Sequence, residues 1–81
     1  MKVVQMKPIV IIITEIQPEL EDCQKVVGGF VEMVYLEDGR QMLVNEEGLL
    51  KELPYNPIAS QLAGHTIVGN AIVLEGKALW K

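Results

Sequence analysis

Two strand-like runs, Phe30 to Leu36 and Arg40 to Asn45, flank the dipeptide Asp38-Gly39, and this pattern restricts the fold more tightly than any other feature of the chain. Asp-Gly favours a hairpin because glycine reaches the positive φ of a primed two-residue turn without steric cost. A loop of two residues sets the register by counting. Glu37 then faces Arg40, Tyr35 faces Met42, Met33 faces Val44 and Val31 faces Glu46 on one side. Leu36 faces Gln41, Val34 faces Leu43 and Glu32 faces Asn45 on the other. Opposite charges, an aromatic–Met pair and aliphatic pairs meet, as cross-strand stabilisation prefers. Both faces of this hairpin remain substantially apolar, so a helix on one face leaves the other needing a second cover.

The flanking segments supply the remaining elements. Val3-Val4 and Ile9 to Ile13 are β-branched and suit strands, with Pro8 marking a strand start, bulge or edge. The run 9–13 is apolar on both alternating faces, which predicts a central strand covered twice or one at an interface. Pro18 and Gly28 bracket a helix whose stripe is Ile16, Leu20, Cys23 and Val27. Glu15, Glu19, Glu21 and Asp22 cluster at its start, where carboxylates complement the helix dipole. Asn45-Glu46-Glu47-Gly48 predicts a tight turn with Gly48 at positive φ, after which Leu49-Leu50 return to the sheet. Asn56 caps a short helix with Pro57 in its first turn and Gly64 at its end. Residues 66–74 form the last strand, with a bulge at Gly69-Asn70, and the tail 77–81 adds pairing. The expected order is β-α-β-β-(α)-β across residues 1–81. That is an α+β domain on a small antiparallel or mixed β-sheet, with one packed helix and a short second helix.

Composition then limits the function classes. A net charge of −4 with seven scattered Lys and Arg argues against a phosphate-backbone binder, so no nucleic-acid partner is expected. The longest apolar run is five residues, too short for a membrane span, and no signal-peptide cleavage pattern follows it. A single Cys23 excludes a disulfide framework and a thiol metal site, and points to a reducing, cytoplasmic setting. Yet 49% of an 81-residue chain is hydrophobic, more than so small a core absorbs, so a homodimer or larger closed oligomer is expected.

Chemistry is sparse. His65 is the only histidine and stands in a loop without spaced partners, so no metal, cofactor or acid–base relay is expected. Gly28-Gly29 ends a helix rather than opening one and is no phosphate loop. Glu32, in mid-strand opposite Asn45, is a candidate pocket residue, although a solvent-facing strand carboxylate is the commoner case. Glu46-Glu47 is more simply a solvated turn pair than a cation site. Tyr55 and Asn56, between two prolines, present a ring and an amide to a ligand; corner packing and helix capping are the favoured alternative. No nucleophile–base pair is present, and no catalytic residue is nominated.

The segments Val26-Val27-Gly28-Gly29-Phe30-Val31-Glu32, Leu36-Glu37-Asp38-Gly39, Val44-Asn45-Glu46-Glu47-Gly48, Leu53-Pro54-Tyr55-Asn56-Pro57-Ile58-Ala59 and Ile67-Val68-Gly69-Asn70-Ala71 together carry a resemblance. They resemble a family of small proteins of phages, mobile elements and Gram-positive bacteria, classed as a domain of unknown function. The resemblance implies a phage or prophage origin and no catalytic residue. Its functional expectation is a non-enzymatic accessory protein that binds a host component and interferes with a host process such as defence. Two alternatives accompany it: an oligomeric sponge for a nucleotide-derived immune signal, which needs Arg40, Lys51 and Lys7 in its pocket, and an assembly accessory with a protein partner only. The candidate ligand-binding residues are therefore Glu32, Arg40, Asn45, Tyr55 and Asn56.

Overall fold

A computed structural model describes residues 7–80. The hairpin comprises β2 (Val31–Tyr35) and β3 (Gln41–Asn45), paired antiparallel. Its register differs from the counted one by a single residue. Tyr35 faces Gln41, Met33 faces Leu43, Glu32 faces Val44 and Val31 faces Asn45. The loop has three residues, not two. Gly39 N–H donates to Leu36 O at 3.1 Å and Leu36 N–H to Arg40 O at 2.9 Å, with Gly39 at φ 91°. This is a turn followed by a left-handed glycine bulge, the commonest arrangement after the primed turn. Asp38 reinforces it: Oδ1 accepts from Arg40 N–H at 3.1 Å and Oδ2 from Nε at 2.8 Å.

A slip of one residue exchanges the faces of β3 relative to β2. Val31 and Met33 therefore share a layer with Leu43, and Val34 with Met42 and Val44. The other strands are β1 (Val10–Ile13) and β4 (Ala71–Leu74), giving the mixed order β1-β4-β3-β2. β1 runs parallel to β4, and β4 antiparallel to β3. The Ile-rich run is thus neither central nor doubly covered. It is an edge strand, with Ile9 and Ile12 at 50% and 56% exposure. The suggested strand at Val3-Val4 lies outside the described residues.

Each face of the sheet has its own cover. α1 (Leu20–Val27) lays Cys23 and Val27 on Leu43, Ile72 and Leu74, joined by Ala78 of a 3-10 turn over Gly76–Ala78. The helix is shorter than its stripe predicted: Pro18 precedes it, and Ile16 is 73% exposed outside it. The described part of the tail adds no strand. Trp80 instead exchanges two 2.7 Å hydrogen bonds with the Gln41 amide, while its indole N–H donates to Pro18 O at 3.2 Å. The opposite face is covered by α2 (Pro57–Ala63) and Ile67, which pack on Leu36, Met42, Val44 and Val73. The second cover therefore comes from the chain itself. No described helix is long and apolar enough to cross a membrane.

Candidate functional site

On the α2 side of the sheet, the segments that follow β3 and α2 converge. Residues 46–52 form consecutive turns rather than a return to the sheet, which leaves Leu49 and Leu50 at 74% and 83% exposure. Gly48 does not take positive φ; it provides clearance. A Cβ there would lie 2.8 Å from Val68 Cγ2, so only glycine lets this turn close against the 65–68 loop. Between turn, loop and hairpin lies a cleft of about 500 Å³. Its apolar walls include Val34, Val44, Leu49 and Ile67, and Glu32, Glu46 and Glu47 contribute carboxylates. Lys51 Nζ approaches Glu47 at 4.0 Å, while Glu32 and Glu46 meet no cation among the described residues.

The five sequence candidates fall into three groups. Glu32 lines the cleft from the outer strand, opposite Val44 rather than Asn45. Asn45 also belongs to the lining, but its side chain is committed. Nδ2 donates to Val27 O at 3.0 Å at the end of α1, and Oδ1 accepts from Glu47 N–H at 2.7 Å. Tyr55 bridges Val68 and borders a neighbouring depression with Ser60, His65 and Thr66. Arg40 and Asn56 line neither. Arg40 is held by Asp38 at 2.8 Å and Glu75 at 3.4 Å. Its backbone N–H, above all, and its guanidinium hold the Asp38 carboxyl below its ordinary value.

Asn56 is 1% exposed and acts inside the fold. Its Oδ1 accepts from Ala59 N–H at 3.1 Å, the cap expected for α2. Its Nδ2 donates to Gly69 O at 2.9 Å and Ile9 O at 3.2 Å. Asn70 Nδ2 likewise donates to Val26 O at 2.9 Å. These asparagines join segments that strand pairing does not connect. Cys23 is buried in the core, and burial, followed by the nearby Asp22 charge, raises its thiol above the ordinary value, which disfavours the reactive thiolate.

Leu49, Leu50 and the 65–68 loop are the site residues that the sequence candidates omitted. The signal available was a pair of leucines between Glu47-Gly48 and Lys51-Glu52, too short and too flanked by charge for a buried strand. His65 borders both depressions and has no charged partner among the described residues. Among the described residues, no three His, Cys, Asp or Glu side chains are grouped to hold a metal ion.

Residues 1–78 match the family described as Domain of unknown function (DUF3846). The chain belongs to that family. The match takes in β1 and the 3-10 turn, beyond the segments between Val26 and Ala71 that carried the resemblance. No curated protein matches the chain. No solved structure matches it either.

Proposed function

We propose that this protein acts by binding, as a non-enzymatic accessory protein of a phage or mobile element, and that the cleft beside β2 is where it engages a host macromolecule. The observation that carries this reading is the exposure of Leu49 and Leu50, 74% and 83%, along an apolar cleft. Adjacent leucines held in water beside a concave apolar surface are the usual mark of an interaction site. The phage and mobile-element origin rests on the resemblance of the Gly28-to-Ala71 segments, and interference with host defence in the host cytoplasm follows from that origin. A nucleotide-derived signal fits less well, because Arg40 is engaged by Asp38 and Glu75 and the cleft carries carboxylates. Self-association is part of the same proposal: the half-exposed Ile9 and Ile12 give the β1 edge an apolar margin suited to a second copy.

The test compares tagged wild-type protein with Leu50→Asp in cells carrying an active defence system. The wild type is expected to cross-link to one defined host protein and to raise plaque formation. Leu50→Asp, folded by circular dichroism, is expected to lose both. A folded variant that retains the same partner and effect would refute the cleft as the contact surface.

A further inference from the structure

Strand β2 is the outer strand of the sheet, and its hydrogen-bonding pattern can be followed residue by residue. The bonds Leu36 N–H to Arg40 O and Glu46 N–H to Phe30 O bracket the hairpin. In an antiparallel ladder such pairs alternate, so residues 30, 32, 34 and 36 turn their backbone groups towards β3. Val31, Met33 and Tyr35 turn theirs outward, where no described strand lies. Natural edges are usually blunted by Lys, Pro or a bulge within the strand. The five-residue sequence Val-Glu-Met-Val-Tyr carries one charge, Glu32, but neither Lys nor Pro, and it pairs without interruption from Val31 to Tyr35.

This edge adjoins the cleft. Glu32 and Val34 share one face of β2, and both line it. Any strand added beside β2 places the side chains opposite Glu32 and Val34 on that same face, over the cleft. On the other face it meets Val31, Met33 and the exposed Tyr35.

We propose that β2 accepts an extended segment of a partner protein as an additional antiparallel strand, and that the segment carries an apolar residue opposite Val34 and a Lys or Arg opposite Glu32. The inference rests on the binding reading above and deepens it by naming the recognition mode. Charge selects the occupant. Glu32 and Glu46 have no cation within the described residues, and Glu47 has only Lys51 at 4.0 Å. A second copy pairing its own β2 about Met33 would set Val34 opposite Glu32 and leave these carboxylates unneutralised. A basic segment neutralises them. Main-chain bonds then supply affinity and alternate side chains supply specificity, as in other strand-addition complexes.

The probe is the capped peptide Ser-Val-Leu-Val-Lys-Val-Ser, whose Leu and Lys fall opposite Val34 and Glu32, with a control carrying Glu in place of Lys. Amide NMR of the full chain is expected to show shifts and slowed exchange at Val31, Met33 and Tyr35, with side-chain shifts at Leu50. The Glu control, or Glu32→Lys against the Lys peptide, is expected to bind about fivefold more weakly, the scale of one exposed charge pair. Glu32→Lys with the Glu peptide is expected to recover the loss. Three results would each overturn the proposal: shifts confined to other elements, equal binding of both peptides, or amides at 31, 33 and 35 already protected in a dimer without peptide. If the host partner is lost with Leu50→Asp but retained by folded Glu32→Lys and Met33→Pro proteins, the cleft reading stands and strand addition fails.

Discussion

Replacing Asn56 by Ala is expected to cost about 3 kcal/mol, and the sum follows from its three bonds. Losing the cap at Ala59 N–H accounts for about 1 kcal/mol. Gly69 O loses its donor in a buried setting, at about 1–3 kcal/mol for the orphaned group. Ile9 O is less affected, because it keeps the Ala71 N–H at 3.0 Å. Against a typical total of roughly 5–15 kcal/mol, this is a large fraction. At about 4–8 °C per kcal/mol for a domain of this size, the melting temperature should fall by about 15 °C. A fall of less than about 5 °C in a calorimetric scan would refute the accounting built on that conversion.

Asn56→Asp separates the amide's donor role from its acceptor role. Aspartate keeps the cap acceptor but turns an oxygen towards Gly69 O and Ile9 O in a site that is 1% exposed. Burial and two facing carbonyls outweigh the single capping N–H, so the folded carboxyl titrates above its unfolded value. A raised folded value means that the stability of this variant is greatest below the unfolded value and is lost as pH rises through the folded one. Urea midpoints of Asn56→Asp relative to wild type should therefore improve on acidification. A midpoint difference independent of pH would refute the raised titration of a carboxyl at position 56.

Three further outcomes are expected. Gly48→Ala sets a methyl 2.8 Å from Val68 Cγ2 and should destabilise by about 1–3 kcal/mol, and adding Val68→Ala should recover part of that loss in denaturant melts. Gly39→Val forces a β-branched residue to φ 91° at a cost of about 1–2 kcal/mol, so an unchanged melting temperature would contradict the bulged turn. Light scattering should give the wild type a mass above 9.0 kDa at micromolar concentration, and Ile12→Lys should return it to monomer; a monomeric wild type would refute self-association at β1.

The fold was legible wherever local chemistry acts alone. Asn56-Pro57 and Gly64 bracket α2 because a cap, a first-turn proline and a left-handed terminus are local devices. The α+β class follows from the order of apolar runs, whereas the choice between an antiparallel and a mixed sheet stayed open until the parallel pairing of β1 with β4 decided it. The start of α1 was not legible: the helix begins at Leu20, after Pro18, whose carbonyl accepts the Trp80 indole N–H from 62 residues away. The second cover of the sheet was missed for a related reason. α2 and Ile67 reach Met42 and Val44 only because β4 lies between β1 and β3, and strand order leaves no trace in periodicity. Of the site, Glu32 was a candidate whose commoner reading was a solvent-facing strand carboxylate, and it borders the cleft. Leu49 and Leu50 were not, since an apolar pair after a turn resembles a strand until the close approach of Gly48 to Val68 is known.

The hairpin loop connects these successes and failures. Asp-Gly occurs in both two-residue and three-residue loops, so it locates the turn without setting the register. The Asp38 carboxylate, bonded to both the backbone and the side chain of Arg40, supports the longer loop. That extra residue decides which way β3 faces. In the counted register Glu32 would oppose Asn45, and both would compete for one surface. In the observed register Asn45 shares a layer with Val31 and turns its amide to Val27 O, closing the end of α1. Glu32 is left with Val34 and Val44 on the opposite face, where the turns after β3 complete a cleft around them. The carboxylate and the apolar wall meet beside an open strand edge because the loop is one residue longer than its central dipeptide requires.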